Sequence, residues 1–380
     1  MSEKKKILIF IDWFLPGYKA GGPIRSVANI VNSLSNIFNF HIVTSDRDLG
    51  DTKPYENIKL NIAIKKENYT VTYLNPEFQN IKMYKEILSK IKPAKIYFNS
   101  LFSINFTLLP LIASKKQVSA NSIILAPRGM FGKGALGLKK TKKIFFLNIS
   151  KLFKLYSGIT WHATTQYEKE DIKSIFNRKS NIIVAGNIPE KSTNYFQKEK
   201  TSLTKFVFIS RVSKKKNILF AIELFKNIKT YANVVFDIYG PVEDVTYKND
   251  CEEVAKLLPE NIFANFKGKL AHNEVNSTLK EYHFFLFPTL HENYGHAIFE
   301  ALSSSCPVIL SKQTPWQNLE EKNIGWDINL NNKNKFQEVI QNCIDMKQEE
   351  YDIISKNAFK FAKDFSENSQ AVKDTKKMFE

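Results

Sequence analysis

The stretch Phe287-Pro288-Thr289-Leu290-His291-Glu292-Asn293-Tyr294-Gly295-His296-Ala297-Ile298-Phe299-Glu300-Ala301-Leu302 decides how the rest of the chain is read. An apolar strand ends at Pro288, a polar turn carries Glu292, Gly295 lets the backbone approach a ligand, and a helix then opens. A helix start presents unpaired amides and the positive end of the helix dipole. The N–H groups of Gly295, His296, Ala297 and Ile298 therefore read as an anion site that suits a diphosphate. Glu300, about one turn inside the helix, can accept two hydrogen bonds from a ribose diol. Glu292, nearer the mouth, can hold hydroxyls of a group beyond the phosphates.

Working outward, the same strand–turn–helix pattern repeats. In the first half, Ile7–Ile11 runs into a glycine-rich turn, Gly17 to Pro23, and a helix with Ile24, Val27, Ile30, Val31 and Leu34 on one face. Strands are expected at Phe40–Thr44, Val71–Leu74, Lys95–Asn99, Ser122–Ala126 and Asn181–Val184, and helices at Met83–Lys90 and Thr107–Ser114. The pattern restarts with a strand at Phe206–Ser210, a helix at Ile218–Thr230, and strands at Val234–Tyr239, Phe284–Pro288 and Pro307–Leu310. Strands alternating with helices imply parallel sheets covered on both faces. The expected fold class is α/β, with two facing Rossmann-like domains and a central cleft. The N-terminal, acceptor-side domain is placed at residues 1–187 and the C-terminal, donor-binding domain at 188–360, joined through the polar stretch Gly186–Ser202. A C-terminal helix at about 360–380 is expected to pack back on the first domain.

Composition bounds the function. The 380 residues hold 43% hydrophobic and 13% aromatic side chains, enough for buried cores and incompatible with a disordered chain. The three cysteines, Cys251, Cys306 and Cys343, show no CxxC spacing, which argues for a reducing compartment and against a structural zinc site. No apolar run approaches the ~20 residues of a membrane span. Lys4-Lys5-Lys6 before Ile7–Ile11 imitates a signal peptide, but Asp12 breaks the run and no small-residue cleavage site follows. The expected location is cytoplasmic, soluble or peripheral on the inner face of a membrane.

The net charge of +17 is uneven. Residues 1–190 carry 29 basic and 13 acidic side chains, and residues 191–380 carry 26 and 25. Between Ile87 and Tyr167, 81 residues contain 13 Lys and Arg and no Asp or Glu. Lys139, Lys140, Lys142, Lys143, Lys151 and Lys154 interleave there with Ile144, Phe145, Phe146, Leu147, Leu152, Phe153 and Leu155, which reads as a basic amphipathic helix or helix pair. Such a face docks on an anionic surface, membrane or nucleic acid, or is a solvated helix of a lysine-rich protein.

Glu292 and Glu300, separated by seven residues and followed by Ala301-Leu302 and Cys306-Pro307-Val308-Ile309, resemble the E-x7-E signature of retaining glycosyltransferases of family 4, which have the GT-B fold. Phe208-Ile209-Ser210-Arg211-Val212 with Lys216-Asn217 is similar to that family's Arg and Lys, five apart, at the start of its second domain. Thr314-Pro315-Trp316 with Gly325-Trp326 looks like the segment after the signature in bacterial polysaccharide-building members. Ser305 departs from the glycine usual before this Cys-Pro step. The resemblance implies a nucleotide-sugar donor, most simply a UDP-sugar, no metal and no other cofactor. It also implies a glycan or lipid-linked acceptor and same-face attack, with the leaving diphosphate helping to deprotonate the acceptor. It assigns Arg211 and Lys216 to the departing diphosphate, whose charge grows in the transition state. It gives Glu292 and His162 to the transferred sugar, Glu300 to the ribose, and the backbone of Gly21 and Gly22 to the donor phosphates from the opposite wall. His162, in Trp161-His162-Ala163-Thr164-Thr165, reads equally as a satisfied structural histidine. Arg128 and Gly129, at a strand end, fit the acceptor side, and Asp12 either assists an acceptor hydroxyl or fixes the first loop.

Two motifs are decoys. Gly132 to Gly137 spells GxGxxG, yet no acidic residue follows for thirty positions to hold a ribose. Asp46-Arg47-Asp48 spells DxD, but the arginine between the aspartates suggests a salt-linked loop rather than a metal site. The competing functions are a sugar-nucleotide epimerase or phosphorylase on the same fold, or a non-catalytic basic nucleic-acid-binding protein. No helix-turn-helix, RRM or zinc-finger pattern supports the last, so nucleic acid is not an expected partner.

Overall fold

A computed structural model describes residues 3–115, 117–131, 140–176, 180–190 and 194–380, with the backbone alone for 140–144. The chain forms two compact units. The first is Met1–Ile188 with Ser369–Glu380, and the second is Pro189–Asn368.

In the first unit eight strands form one sheet: β1 (Lys6–Phe10), β2 (Asn39–Ser45), β3 (Ala63–Lys65), β4 (Thr70–Leu74), β5 (Lys95–Phe98), β6 (Ile123–Leu125), β7 (Thr160–Ala163) and β8 (Asn181–Val184). Their order is β3-β4-β2-β1-β5-β6-β7-β8, parallel throughout except for β3 on β4. The apolar run of β1 is buried on both faces, and its pleat divides it. Leu8 and Phe10 enter one core, while Ile7 and Ile9 enter the other. Helices cover the sheet: α1 (Gly22–Leu34), α2 (Ile81–Ile91), α3 (Leu109–Ser114), α4 (Lys140–Leu152) and α5 (Gln166–Ile175). The stripe Ile24, Val27, Ile30, Val31, Leu34 of α1 is buried, as its spacing dictates.

The second unit holds a six-stranded parallel sheet of β9 (Leu203–Ile209), β10 (Asn233–Tyr239), β11 (Ile262–Gly268), β12 (Phe284–Phe287), β13 (Val308–Ser311) and β14 (Gly325–Ile328), in the order β11-β10-β9-β12-β13-β14. The chain winds outward from β9 to β11, returns to β12 beside β9, and winds the other way. The switch point lies between β9 and β12, and ligands of such sheets sit beyond the carboxyl ends of strands at this place. The loops after β9 and β12, which carry Arg211, Lys216 and Glu292, leave the sheet there. The connecting helices are α6 (Ile218–Glu223), α7 (Val245–Ala255), α8 (His272–Leu279), α9 (His296–Ser303), α10 (Lys333–Asp345) and α11 (Gln348–Glu367). The chain then returns to the first unit as α12 (Gln370–Phe379), where Phe379 is fully buried edge-on to Phe38, Phe40 and Tyr97.

Two expected helices come out shorter. The one at Ile218–Thr230 is α6 followed by a 3-10 turn, Leu224–Asn227. The one at Thr107–Ser114 starts as a π-turn, Ile104–Leu108, because Pro110 in the first turn of α3 has no N–H to offer the turn before it. Strands β3, β11 and β14 carry little apolar signal, since β3 and β11 are edge strands with mostly exposed or half-buried residues.

Candidate functional site

In the second unit the β9 loop is stitched to the β12 loop. Lys215 O accepts from Leu290 N at 3.0 Å and from Thr289 Oγ1 at 3.2 Å, and Asn217 Nδ2 donates to Pro288 O at 3.0 Å. Asn217 adopts a left-handed backbone (φ 59°), which turns Lys216 inward. Lys216 Nζ then donates to Glu292 Oε2 at 2.6 Å and lies 5.2 Å from the Phe287 ring centre. Burial alone would raise the Glu292 pKa. The Lys216 ammonium, which both attracts and donates to it, and the Asn293 amide outweigh that and hold the carboxylate below its ordinary 4.5.

Arg211 behaves differently. Its side chain is 41% exposed, and the guanidinium pairs with the exposed Glu243 at 3.1 Å. The loop that carries it is pinned from beneath: Val212 N donates to Pro241 O, and Gly240 (φ 147°) packs so closely that a Cβ there would lie 1.9 Å from Ser210 O. The sequence expectation grouped Arg211 and Lys216 as one clamp. The structure pairs each with a different carboxylate, one on the surface and one mostly buried.

Gly295 (φ 77°) is the N-cap of α9 and no side chain caps the helix. A Cβ at Gly295 would meet Ile298 Cδ1 at 2.6 Å, and the left-handed backbone there favours glycine. His296 and Ala297 are the half-buried residues of the first turn, with the Tyr294 ring 4.7 Å from His296 and Trp316 Nε1 donating to Tyr294 O. Ile298 corrects the sequence expectation: its amide already donates to Gly295 O at 2.9 Å and its side chain is fully buried, so it has no amide to give an anion.

Glu300 is buried on α9. Glu190 and His272 converge on it, with one ligand atom from each residue within 4.8 Å of the others. This cluster of one imidazole and two carboxylates is chemically able to receive hydroxyl groups or a divalent cation. Sequence reading missed both partners of Glu300, because no spacing links the first residue of α8 or the segment after Pro189 to the signature.

Ser305 has the left-handed backbone (φ 58°) that a glycine would take without cost. Its hydroxyl accepts from Phe196 N at 3.3 Å and its carbonyl accepts from Ser355 Oγ at 2.8 Å, so the departure contributes contacts of its own.

The first-unit residues lie around the carboxyl ends of its strands. Gly21 (φ 67°) is the N-cap of α1, which Gly22 opens; no side chain caps it, and Pro23 follows in its first turn. The loop before it is held by Asp48, which accepts from Tyr18 N, Lys19 N and Leu49 N, while Asp46 is paired with Arg47 at 2.7 Å. The DxD stretch thus serves the glycine loop. Asp12 accepts from Ser103 Oγ at 2.5 Å, and its carbonyl takes Ser45 N, so it fixes the loop. The GxGxxG text lies outside the described residues.

Arg128 Nη2 donates to Tyr97 OH at 2.8 Å; Tyr97 OH in turn donates to His162 Nδ1 at 2.8 Å, and His162 Nε2–H donates to Ala185 O at 2.8 Å. Arg128 also donates to Asn99 and Asn187, and the Glu168 carboxylate takes Gly129 N and Thr164 N. His162 is 1% exposed. Burial, with Arg128 nearby, pushes its pKa down to about 3, so it is neutral at ordinary pH. With both ring nitrogens engaged, His162 fits the structural alternative.

Residues 190–361 match the family model described as Glycosyl transferases group 1. No curated protein matches the chain in sequence. Among solved structures, a sucrose-phosphate synthase from Thermosynechococcus elongatus is similar at 12% identity and TM-score 0.72, over 99% of this chain and 98% of that one. Anabaena Alr3699/HepE, solved in complex with UDP-glucose, is similar at 14% identity and TM-score 0.69, over 98% of both chains. WaaG, a glycosyltransferase involved in lipopolysaccharide biosynthesis, is similar at 11% and 0.64, over 98% of both. At such identities the likeness is one of fold. The chain has the α/β GT-B fold, and its second unit carries a Glycosyl transferases group 1 domain, so the protein is a glycosyltransferase. Among the described residues no helix is long and apolar enough to cross a membrane.

Proposed function

We propose that the protein is a retaining glycosyltransferase of the family 4 kind that moves a sugar from a nucleoside diphosphate, most simply UDP, to a glycan or lipid-linked acceptor in cell-surface polysaccharide synthesis, on the cytoplasmic side. The observation that carries the reading is the uncapped start of α9 at Gly295, with the Lys216–Glu292 pair on the adjoining loops and Glu300 one turn inside. The donor's diphosphate lies against the amides of His296 and Ala297 and the positive end of the helix. Arg211 exchanges Glu243 for the diphosphate. An exposed ion pair is worth only about 0–1 kcal/mol, so the exchange costs little. Lys216, held by Glu292, stabilises the leaving group as its charge develops, and Glu292 receives hydroxyls of the transferred sugar. Glu300 takes the ribose diol, with Glu190 and His272 beside it. In this reading the chemistry needs no metal, because Arg211, Lys216 and the helix terminus supply the positive charge that the diphosphate requires. His162 acts through Tyr97 and Arg128, as a positioning residue.

The test is transfer with labelled UDP-, GDP- and ADP-sugars, preceded by a thermal-shift screen of the same donors. Glu300→Ala and Arg211→Ala are expected to abolish donor-dependent transfer while the protein stays folded, and a chelator is expected to leave the wild type unaffected. Wild-type rates in both variants would reject the site. A changed sugar still joined to UDP would make the protein an epimerase, and release of a sugar phosphate would make it a phosphorylase.

A further inference from the structure

In the first unit, α4 turns one face inward, with Leu147 and Ser150 buried and the Phe146 ring 5.6 Å from that of Phe102. Its other face is apolar and uncovered. Phe145 is 67% exposed, Leu152 76% and Phe153 74%, and Ile149 completes the i, i+4, i+7, i+8 row. The neighbouring element reaches this surface: Lys115, at the end of α3, donates to Lys154 O at 3.2 Å. Lys115, Lys151 and Lys154 are exposed beside these residues, and the sequence places Lys140, Lys142 and Lys143 on the same helix.

We infer that this face docks the protein on an anionic lipid bilayer, with Phe145, Ile149, Leu152 and Phe153 entering the acyl boundary and Lys115, Lys151 and Lys154 at the headgroup level. An apolar row rimmed by cations is the pattern of a helix lying in a membrane interface. The charge selects this occupant over others. The 81-residue stretch around the face has no carboxylate, so a second copy of the chain would bring like charges together. A nucleic acid would require donors to phosphate at the centre of the surface, where leucine, isoleucine and phenylalanine stand instead. The inference deepens the transferase reading, on which it rests only for its use, by naming the surface where a lipid-linked acceptor is met.

The experiment sediments the full chain with vesicles of phosphatidylcholine alone or with roughly one-third phosphatidylglycerol. The wild type is expected to pellet with the anionic vesicles only, and to be released as salt shortens the Debye length. Leu152→Glu/Phe153→Glu and Lys151→Glu/Lys154→Glu are each expected to weaken partitioning at least roughly tenfold. Both pairs alter exposed side chains, so the thermal shift produced by UDP-sugar is expected to stay unchanged. Wild-type protein left in the supernatant, or either variant pelleting as well as wild type, overturns the inference. A wild-type dimer that Leu152→Glu/Phe153→Glu converts to monomer in light scattering also overturns it, by assigning the face to a second copy. Vesicle binding without any donor-induced shift supports the inference while sinking the transferase reading, so the two fail separately.

Discussion

Lys216 Nζ and Glu292 Oε2 meet at 2.6 Å and join loops that are 76 positions apart in the chain. The side chains are only 10% and 19% exposed, so neither charge can be left alone cheaply. Lys216→Met is expected to cost about 3 kcal/mol in urea unfolding, because it strands the carboxylate. Lys216→Met/Glu292→Gln is expected to recover most of that stability and none of the transfer activity. Additive losses in this cycle would dismiss the coupling.

The same pair sets an acid limit. The folded Glu292 pKa is below its ordinary 4.5, so the pairing stabilises fully above that value and is lost as pH falls through the folded value. The stability gap between wild type and Glu292→Gln is expected to be constant from pH 7 to about 5 and to shrink below about 4. A gap that widens on acidification would reverse the sign assigned here.

Arg211 is the contrasting case. Its pair with Glu243 is exposed, so Arg211→Ala is expected to change stability by less than about 0.5 kcal/mol. It is expected to lower kcat/KM by roughly a hundredfold or more, because the guanidinium then no longer meets the departing diphosphate. Stability and kinetics measured on one preparation decide it: a large loss of stability with modest kinetic change would make Arg211 a structural residue.

His162 is expected to stay neutral throughout the physiological range. Its folded pKa, about 3, lies below the ordinary 6.5, so its contribution to stability is full above 6.5 and declines as pH falls from there toward 3. His162→Phe is expected to remove that slope from a plot of Tm against pH and to cost about 2–4 kcal/mol by leaving the Tyr97 hydroxyl proton and Ala185 O without the imidazole. An imidazolium signal by NMR between pH 5 and 8 would contradict this placement.

Much of the second unit's site was legible because Glu292, Gly295 and Glu300 sit in one contiguous stretch, where a strand end, a turn and a helix start must follow in order. The partners of those residues were not. Lys216 is one of three adjacent lysines, and only the left-handed Asn217 and the stitched loops single it out. Glu190 and His272 reach Glu300 through tertiary folding alone. Ile298 was misread because the helix begins with a tight turn that spends its amide on Gly295. The directional chain from Arg128 through Tyr97 to His162 could not be read either, since it joins three strand ends whose adjacency is a property of the sheet order.

Ser305 offers a test of how local departures are absorbed. Ser305→Ala loses the bond from Phe196 N and keeps the left-handed backbone, and is expected to cost about 1 kcal/mol. Ser305→Gly loses the same bond but relieves about 1 kcal/mol of backbone strain, so it is expected to unfold close to wild type. Equal stabilities for the two variants would leave the backbone conformation without an energetic role.

The return of α12 to the first unit bears on the order in which the protein matures on the ribosome. Phe379 closes the ring cluster of Phe38, Phe40 and Tyr97, yet it is synthesised after the whole of the second unit. The earlier-made body therefore lacks that side of its core until residues 370–379 have been translated. A nascent chain stalled before Gln370 would carry that side exposed, however well the second sheet had formed.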